Sequence, residues 1–311
     1  MPEETEKTED SPSGPGGVEW RVLALQLFVV PGALVAACAG IFWSFGRMGE
    51  DGQDARDLLA EIRRSDGGLV FDKNARWYAA RRLGSQVIAE RDLLAKDPRF
   101  CQDLIEAFEN RSYPDPQMRA WLAIGLGKLG NPQAIPALER GLGENGKDGT
   151  DLVRYASAWA LGALGDPAAA PAIVPLLADP SPSVRKVAAY SLGALGAREP
   201  LRSALADGVL EVRWTAAVWL ARLGDAEAAP ALKGLLDRKA FQGLDEPQAA
   251  FLLEHAARAA GRLRDPSLRE ALIRLGADPA ASVRMAASEA LSAYDRPAQP
   301  LPLPPVPGPL P

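Results

Sequence analysis

Apolar residues recur at helical spacing in seven copies along most of the chain. One residue in each copy serves as the anchor of the alignment: Arg76, Arg119, Arg154, Arg185, Arg213, Leu253 and Arg284. Residues three, four and seven beyond the anchor form an apolar stripe, as Ala188, Ala189 and Leu192 do, and the residue eight beyond is small. The anchors are 43, 35, 31, 28, 40 and 31 residues apart. A helical stripe repeated at this period predicts a solenoid of helical hairpins.

Turn signals follow the stripe and separate the two helices of a predicted hairpin. They are complete at Asn131-Pro132, Asp166-Pro167 and Asp265-Pro266. A Gly before such a pair ends the first helix, and Asn or Asp before Pro begins the next helix as its N-cap and first turn. The sequence therefore predicts an all-α chain with two helices in each repeat.

These repeats resemble the HEAT-like repeats of phycobilin lyases, which occur in many bacterial proteins. The resemblance covers residues 74–295 and implies a HEAT-like α-solenoid of about seven helical hairpins. It does not imply an activity, because scaffolds, lyases, hydroxylases and nucleic-acid enzymes all use this fold.

A long uncharged segment precedes the repeats and predicts one N-terminal transmembrane helix at residues 22–46. Residues 22–45 carry no charged side chain and would form about 36 Å of helix, enough for a hydrocarbon core of about 30 Å. A cleaved lipoprotein signal with Cys38 as the lipidated residue is the alternative. The acidic residues 1–21, predicted to be disordered, favour an uncleaved anchor, because a signal begins with basic residues. The sequence leaves open which side of the membrane, expected to be a bacterial inner membrane, carries the solenoid.

Residues 47–73 are predicted to form a linker and a capping helix that covers the open edge of the first repeat. Within them, Ala55, Leu58, Leu59 and Ile62 share one helix face. This block and the preceding segment are similar to a group of functionally uncharacterised, membrane-anchored bacterial HEAT-repeat proteins. Residues 296–311 are rich in proline and predict an extended, disordered tail.

Composition argues against several kinds of chemistry. The net charge is −5, and residues 1–21 supply −4 of it from two bases and six acids, so the repeats are nearly neutral and lack the basic stripe that nucleic acid requires. His255 is the only histidine. The iron-dependent HEAT-repeat hydroxylases use several His-Glu pairs, whereas this chain has only Glu254-His255, in reverse order. We therefore predict no metal, no cofactor, no small-molecule substrate and no enzymatic activity.

The anchor arginines are predicted to have a structural role. In HEAT-like arrays an Arg at the start of the first helix hydrogen-bonds turn carbonyls and carboxylates, and so forms a ladder along the stack. The predicted ladder comprises Arg76, Arg119, Arg154, Arg185, Arg213 and Arg284. Asp115 and Asp151 lie just ahead of their arginines and are the expected carboxylate partners.

Aromatic residues occupy repeat positions at which polar residues are expected. Positions one and five beyond the anchor lie on a helix face away from the apolar stripe, and they hold Trp77, Tyr155, Trp159, Tyr190 and Trp214. Exposed aromatic residues on consecutive repeats predict a contact with a protein partner. The alternative is that these rings cover grooves between repeats or lie under inserted loops.

The sequence thus predicts a membrane-tethered, non-catalytic scaffold that binds proteins through its solenoid and the membrane through residues 22–45. Two alternatives remain open. One is a HEAT-repeat enzyme of the bilin-lyase or nucleic-acid-repair kind, which an apolar, ligand-sized pocket or a basic groove on the concave face of the second helices would favour. The other is an envelope lipoprotein adaptor lipidated at Cys38.

Overall fold

The computed structural model describes residues 54–64, 70–110, 115–143 and 150–294. In this part of the chain the secondary structure is entirely helical. The α-helices are α1 (Ala55–Arg63), α2 (Val70–Ala89), α3 (Arg91–Leu94), α4 (Pro98–Glu109), α5 (Pro116–Leu129), α6 (Ile135–Leu142), α7 (Thr150–Leu164), α8 (Ala170–Ile173), α9 (Pro182–Ala194), α10 (Arg198–Ser203), α11 (Leu210–Arg222), α12 (Ala228–Leu235), α13 (Glu246–Leu263), α14 (Arg269–Leu275) and α15 (Ala281–Tyr294).

The helices alternate as the repeat pattern predicts. The first helices of the repeats are α2, α5, α7, α9, α11, α13 and α15, and each packs against the next along the chain. The second helices are α4, α6, α8, α10, α12 and α14, of which α8 and α10 continue as 3₁₀-helices. The described residues thus contain six complete hairpins and the first helix of a seventh. Helix α2 begins at Val70, so the predicted start of the solenoid at residue 74 falls inside it.

The predicted turn signals act through capping hydrogen bonds. The side chains of Asn131, Asp166 and Asp265 each accept a hydrogen bond from the backbone N–H two residues further on, at 2.9–3.0 Å. Gly130 ends α5 with a φ of 76°, a left-handed conformation that glycine adopts without a steric penalty. After α13 the same conformation falls on Arg264, with a φ of 56°.

The core is the stack of apolar stripes. Ala188, Ala189 and Leu192 are fully buried, as the periodicity predicts. The small residue at position eight lets neighbouring first helices approach closely. A Cβ added at Gly127 would lie 2.7 Å from Cα of Ala160 in the next first helix, a distance too short for two carbon atoms. Repeats of this kind pack only on their neighbours, so such contacts set the spacing along the stack.

The N-terminal end of the solenoid is covered by α1. This helix buries Ala55, Leu58, Leu59 and Ile62, the four residues predicted to share a face, and it packs on α2 and α4. Within the described ranges, none of the helices combines the length and the apolar character needed to cross a bilayer. The predicted membrane helix at residues 22–46, with Cys38, lies outside the described residues, as do residues 1–21 and 296–311.

Candidate ligand cavity

Arginine–aspartate pairs fix the orientation of successive first helices. Arg154 of α7 donates to the carboxylate of Asp179 through Nε and Nη2, at 2.7 and 3.1 Å. Arg185 of α9 binds the carboxylate of Asp207 in the same way, at 2.8 and 3.2 Å. Arg185 also donates to the backbone carbonyl of Asp179 at 2.9 Å. Each aspartate therefore joins the arginine of the preceding repeat to the arginine of its own repeat.

The carboxylates in these pairs are not the ones that the sequence suggested. Asp115 accepts from the backbone N–H of Gln117 as the N-cap of α5, and the partners are instead the aspartates six residues before an anchor: Asp179, Asp207 and Asp278. The expectation for Asp115 is wrong because its short side chain is taken up by capping its own helix. The signal was present in the sequence, since four copies carry Asp at this position, of which Asp148 lies outside the described residues.

The remaining ladder arginines bind backbone carbonyls of the described residues. Arg119 donates to Phe108 at 3.1 Å, Arg213 to Asp207 at 2.6 Å and Arg284 to Asp278 at 2.7 Å. Arg76 is half-buried on α2.

The copy anchored on Leu253 has no arginine at the anchor. Arg238, from the inserted segment before α13, supplies the missing guanidinium and binds the carboxylate of Asp278 at 2.9 Å. The extra residues between the anchors Arg213 and Leu253 therefore supply the arginine that the anchor position lacks.

The predicted aromatic residues do not form an exposed surface. Trp159 is only 6% exposed, and Tyr155, Tyr190 and Trp214 are half-buried. The expectation of an exposed aromatic face is wrong, because these four rings pack between neighbouring first helices and line a shared cavity. Whether they contact a protein partner stays a prediction.

The cavity lies on the face formed by four consecutive first helices and has a volume of 460 Å³. Helices α7, α9, α11 and α13 each contribute side chains to it. Six aromatic residues line it: Tyr155, Trp159, Tyr190, Trp214, Trp219 and Phe251. The ring of Tyr190 meets that of Trp219 edge to face, with centroids 5.3 Å apart, a favourable geometry for aromatic pairs. This size and lining are typical of small-molecule sites.

Two backbone contacts hold the largest rings of α11 in place. The Trp214 indole N–H donates to the carbonyl of Leu252 on α13 at 3.1 Å. Trp219 packs directly on the backbone of α9 at Gly193, where an added Cβ would lie 2.3 Å from Cγ of the indole. The absence of a side chain at Gly193 is therefore what admits the Trp219 ring.

A few polar groups also line the cavity. Arg222 is half-buried, with its guanidinium 5.1 Å from the centroid of the Trp219 ring. Burial lowers the pKa of Arg222, and the nearby charge of Arg262 lowers it further. Burial raises the pKa values of the Tyr190 and Tyr155 hydroxyls.

His255, the only histidine in the sequence, belongs to the cavity. Its ring lies 4.2 Å from that of Phe251 and 6.2 Å from that of Trp214, measured between centroids. Its Nδ1 lies 2.9 Å from the Phe251 carbonyl oxygen. A carbonyl only accepts, so Nδ1 carries the proton in this hydrogen bond and Nε2 is the acceptor nitrogen.

Trp77 is not part of the cavity. It lies on α2, where its indole N–H donates to Gln117 at 3.2 Å and Arg81 lies over its ring at 5.8 Å. In the described part of the chain, no group of three or more His, Cys, Asp or Glu side chains is arranged to hold a metal ion.

Comparison with known proteins agrees with the repeat pattern. HEAT repeats match residues 146–199 and 173–250, and the PBS lyase HEAT-like repeat matches residues 118–144. Deoxyhypusine hydroxylase from Rattus norvegicus is 32% identical over 181 residues, which are 51% of this chain and 58% of that protein. The chain thus spans little more than half the length of this relative.

A solved structure, that of YibA, shows the same kind of fold. The Escherichia coli protein YibA is 17% identical, with a TM-score of 0.50 over 82% of this chain and 97% of that one. The complex of CpcE and CpcF of phycocyanin lyase from Nostoc sp. is 23% identical, with a TM-score of 0.49 over 79% of this chain and 97% of that one.

The relatives also bear on activity. Deoxyhypusine hydroxylase is an enzyme by its name, and its similarity to this chain overturns the prediction that the chain is not an enzyme. That prediction is wrong because it rested on missing motifs, and HEAT-repeat sites are built from residues scattered over several repeats. The matched repeats and the helical stack agree that residues 118–250 contain HEAT-like repeats.

Proposed function

We propose that this HEAT-like repeat protein is an enzyme of the lyase kind, which binds a small organic substrate with a flat, conjugated ring system in the aromatic cavity. The observation that carries the proposal is the 460 Å³ cavity walled by six aromatic side chains. The enzyme alternative expected such a pocket on the concave face, at the second helices, whereas this cavity is lined by first helices. It still argues against the prediction of no small-molecule substrate.

The aromatic walls explain the preference for a flat substrate. Stacked and edge-to-face ring contacts contribute about 0.5–1.5 kcal/mol each beyond the area that they bury. The rings come from four helices that are held by Asp–Arg pairs and close backbone contacts, so the cavity is pre-formed. Binding therefore costs little entropy for ordering its side chains.

His255 is the proposed proton-transfer group. Its hydrogen bond to the Phe251 carbonyl holds the ring and keeps Nε2 available to accept a proton from a bound substrate. Lys186 and Glu211 also line the cavity but are exposed, so they are less suited to chemistry that excludes water.

Hydroxylase chemistry is not carried over from the relative. The iron-dependent HEAT-repeat hydroxylases use several His-Glu pairs, and this sequence has a single histidine. The residues present do not fit such a metal site, and no step through a metal is proposed.

A binding measurement tests the proposal. Naphthylmethanol, a neutral ligand with two fused rings, is titrated calorimetrically into the full-length protein and two variants. Trp214→Ala should weaken binding at least tenfold, because it removes one aromatic wall. Trp77→Ala is the matched control, since Trp77 holds the same repeat position outside the cavity. An absence of binding by the wild type, or equal effects of the two substitutions, would refute a ring-binding cavity.

Turnover is tested on the natural substrate. Ring compounds that co-purify with the protein are identified by mass spectrometry, and each is incubated with the protein to look for a change in its mass. His255→Gln should keep the affinity and lose the conversion. Conversion at the wild-type rate by this variant would exclude His255 as the proton-transfer group.

A protein-binding scaffold is the second candidate. Phe251 favours it, because this cavity residue is 55% exposed and is available to a partner as well as to a small molecule. The predicted membrane tether at residues 22–46 belongs to this candidate. Crosslinking from native membranes followed by mass spectrometry tests it, and Phe251→Ser should abolish the crosslinked product. A product that persists in this variant would exclude this surface.

A further inference from the structure

Arg222 lines the cavity and, unlike the ladder arginines Arg154 and Arg185, has no carboxylate partner among the described residues. Arg154 and Arg185 each bind a carboxylate through two nitrogens. The guanidinium of Arg222 is half-buried and lies over the ring of Trp219, yet it forms no hydrogen bond or ion pair with any residue that the structure describes. A half-buried cation is costly unless a partner offsets the loss of water.

A second donor beside it is also unused. The hydroxyl oxygen of Tyr190 is buried and makes no hydrogen bond within the described residues. Both side chains contact the ring of Trp219, Tyr190 edge to face and Arg222 by a cation–π contact. Buried polar groups are normally paired, so the buried Tyr190 hydroxyl, next to a guanidinium that has no anionic partner among the described residues, points to a group supplied by a ligand.

The local charge suits an anion. Arg222 and Lys186 line the cavity with positive charge, Glu211 is the only carboxylate among its lining residues and is exposed, and His255 donates to a backbone carbonyl. Arg262 lies close enough for its charge to affect Arg222. A bound anion would offset both the burial of Arg222 and its repulsion by Arg262.

We infer that the substrate's ring system carries a carboxylate, bound by the guanidinium of Arg222 and the hydroxyl of Tyr190. This inference rests on the proposed function of the cavity. A guanidinium matches a carboxylate with two parallel N–H donors, and the tyrosine hydroxyl adds a third. Three donors suit the two oxygens of a carboxylate, which together accept up to four hydrogen bonds.

The experiment compares two probes that differ in this group alone. Naphthoate and naphthylmethanol are titrated calorimetrically into the full-length protein at neutral pH. We expect naphthoate to bind at least tenfold more tightly. In Arg222→Gln that preference should fall to less than twofold, while naphthylmethanol keeps its affinity. Arg262→Gln is the control for a general loss of positive charge, and it should keep most of the preference, because Arg262 does not line the cavity.

Each outcome decides a different point. Equal binding of the two probes by the wild type would overturn the carboxylate site and leave the aromatic cavity standing. No binding of either probe would refute the proposed function itself. Should Arg222→Gln unfold, Tyr190→Phe provides a second variant that keeps the ring, and it should reduce the preference at least twofold. An unchanged preference in a folded Arg222→Gln would exclude Arg222 as the carboxylate partner.

Discussion

Removing the guanidinium of Arg154 should destabilise the solenoid substantially. The side chains of Arg154 and Asp179 are only 10% and 5% exposed, and they share two hydrogen bonds at 2.7 and 3.1 Å. Breaking a buried pair by removing one partner costs about 3–5 kcal/mol, because an uncompensated charge stays buried. Asp179 keeps one hydrogen bond from the backbone N–H of Ser181, so we expect Arg154→Met to lose about 3 kcal/mol. Methionine retains the apolar packing of the arginine stem.

A double substitution separates the lost charge pair from lost packing. In Arg154→Met combined with Asp179→Asn no charge is buried without a partner, so the double variant should recover at least about 1 kcal/mol relative to Arg154→Met alone. Arg274→Met is the surface control, because Arg274 and its partner Glu270 are 60% and 82% exposed. Such exposed pairs contribute less than about 1 kcal/mol.

The assay is urea unfolding of the full-length protein, followed by far-ultraviolet circular dichroism. Midpoints convert to free energies through the slope of the transition, provided that all variants share one slope. If Arg154→Met is no less stable than the surface control, or if the double variant is no better than the single one, then the buried pair does not hold the repeats together.

Further outcomes follow from the same structure. Gly193→Ala should lower the free energy of unfolding by about 1–3 kcal/mol and weaken naphthylmethanol binding, because the new methyl group displaces the ring of Trp219. Gly165 is the control, since it lies in a turn with a φ of 75° and has no neighbouring atom within reach of an added Cβ. Gly165→Ala should lower the free energy of unfolding by about 1 kcal/mol and leave binding unchanged. The hydrogen bond from Arg185 holds the pKa of Asp207 below its usual range. The ionised Asp207 therefore stabilises the fold above the unfolded pKa of about 3.9, and this stabilisation is lost as pH falls through the lower folded pKa. The difference in unfolding temperature between wild type and Asp207→Asn should therefore shrink on acidification below about pH 4, and a constant difference would contradict it. Trp159→Ala should lower both stability and ligand affinity, since this buried ring belongs to the core and to the cavity, and a loss of affinity at unchanged unfolding temperature would contradict its core role.

The fold followed from local pattern, because each repeat is determined by residues close together in the chain. Helix ends at Asn131 and Asp166, the buried face of α1, and the tight approach at Gly127 all depend on signals within a single repeat. The cavity does not. Five of its six aromatic wall residues lie one, five or six residues beyond different anchors, and these positions look like surface positions in any one copy. Their neighbours across the cavity are visible only once the angle between repeats is known.

Two features were missed for different reasons. Aspartates lie six residues before the anchor in four copies, but Asp115 and Asp151, which are nearer to their arginines, were the expected partners. Phe251 and His255 were not visible as site residues, because they flank the one anchor that is not arginine.

The cavity draws its walls from four repeats, and each repeat packs only on its neighbours. Its width therefore depends on the sum of three successive rotations between neighbouring first helices. A small change in any one of these rotations changes the width of the whole cavity. A bound ring would act as a wedge of fixed thickness that selects one pitch of the superhelix. Any force or mutation that bends the stack between α7 and α13 should then change the dissociation rate of the bound ligand. Measuring that rate would therefore report on bending of the solenoid.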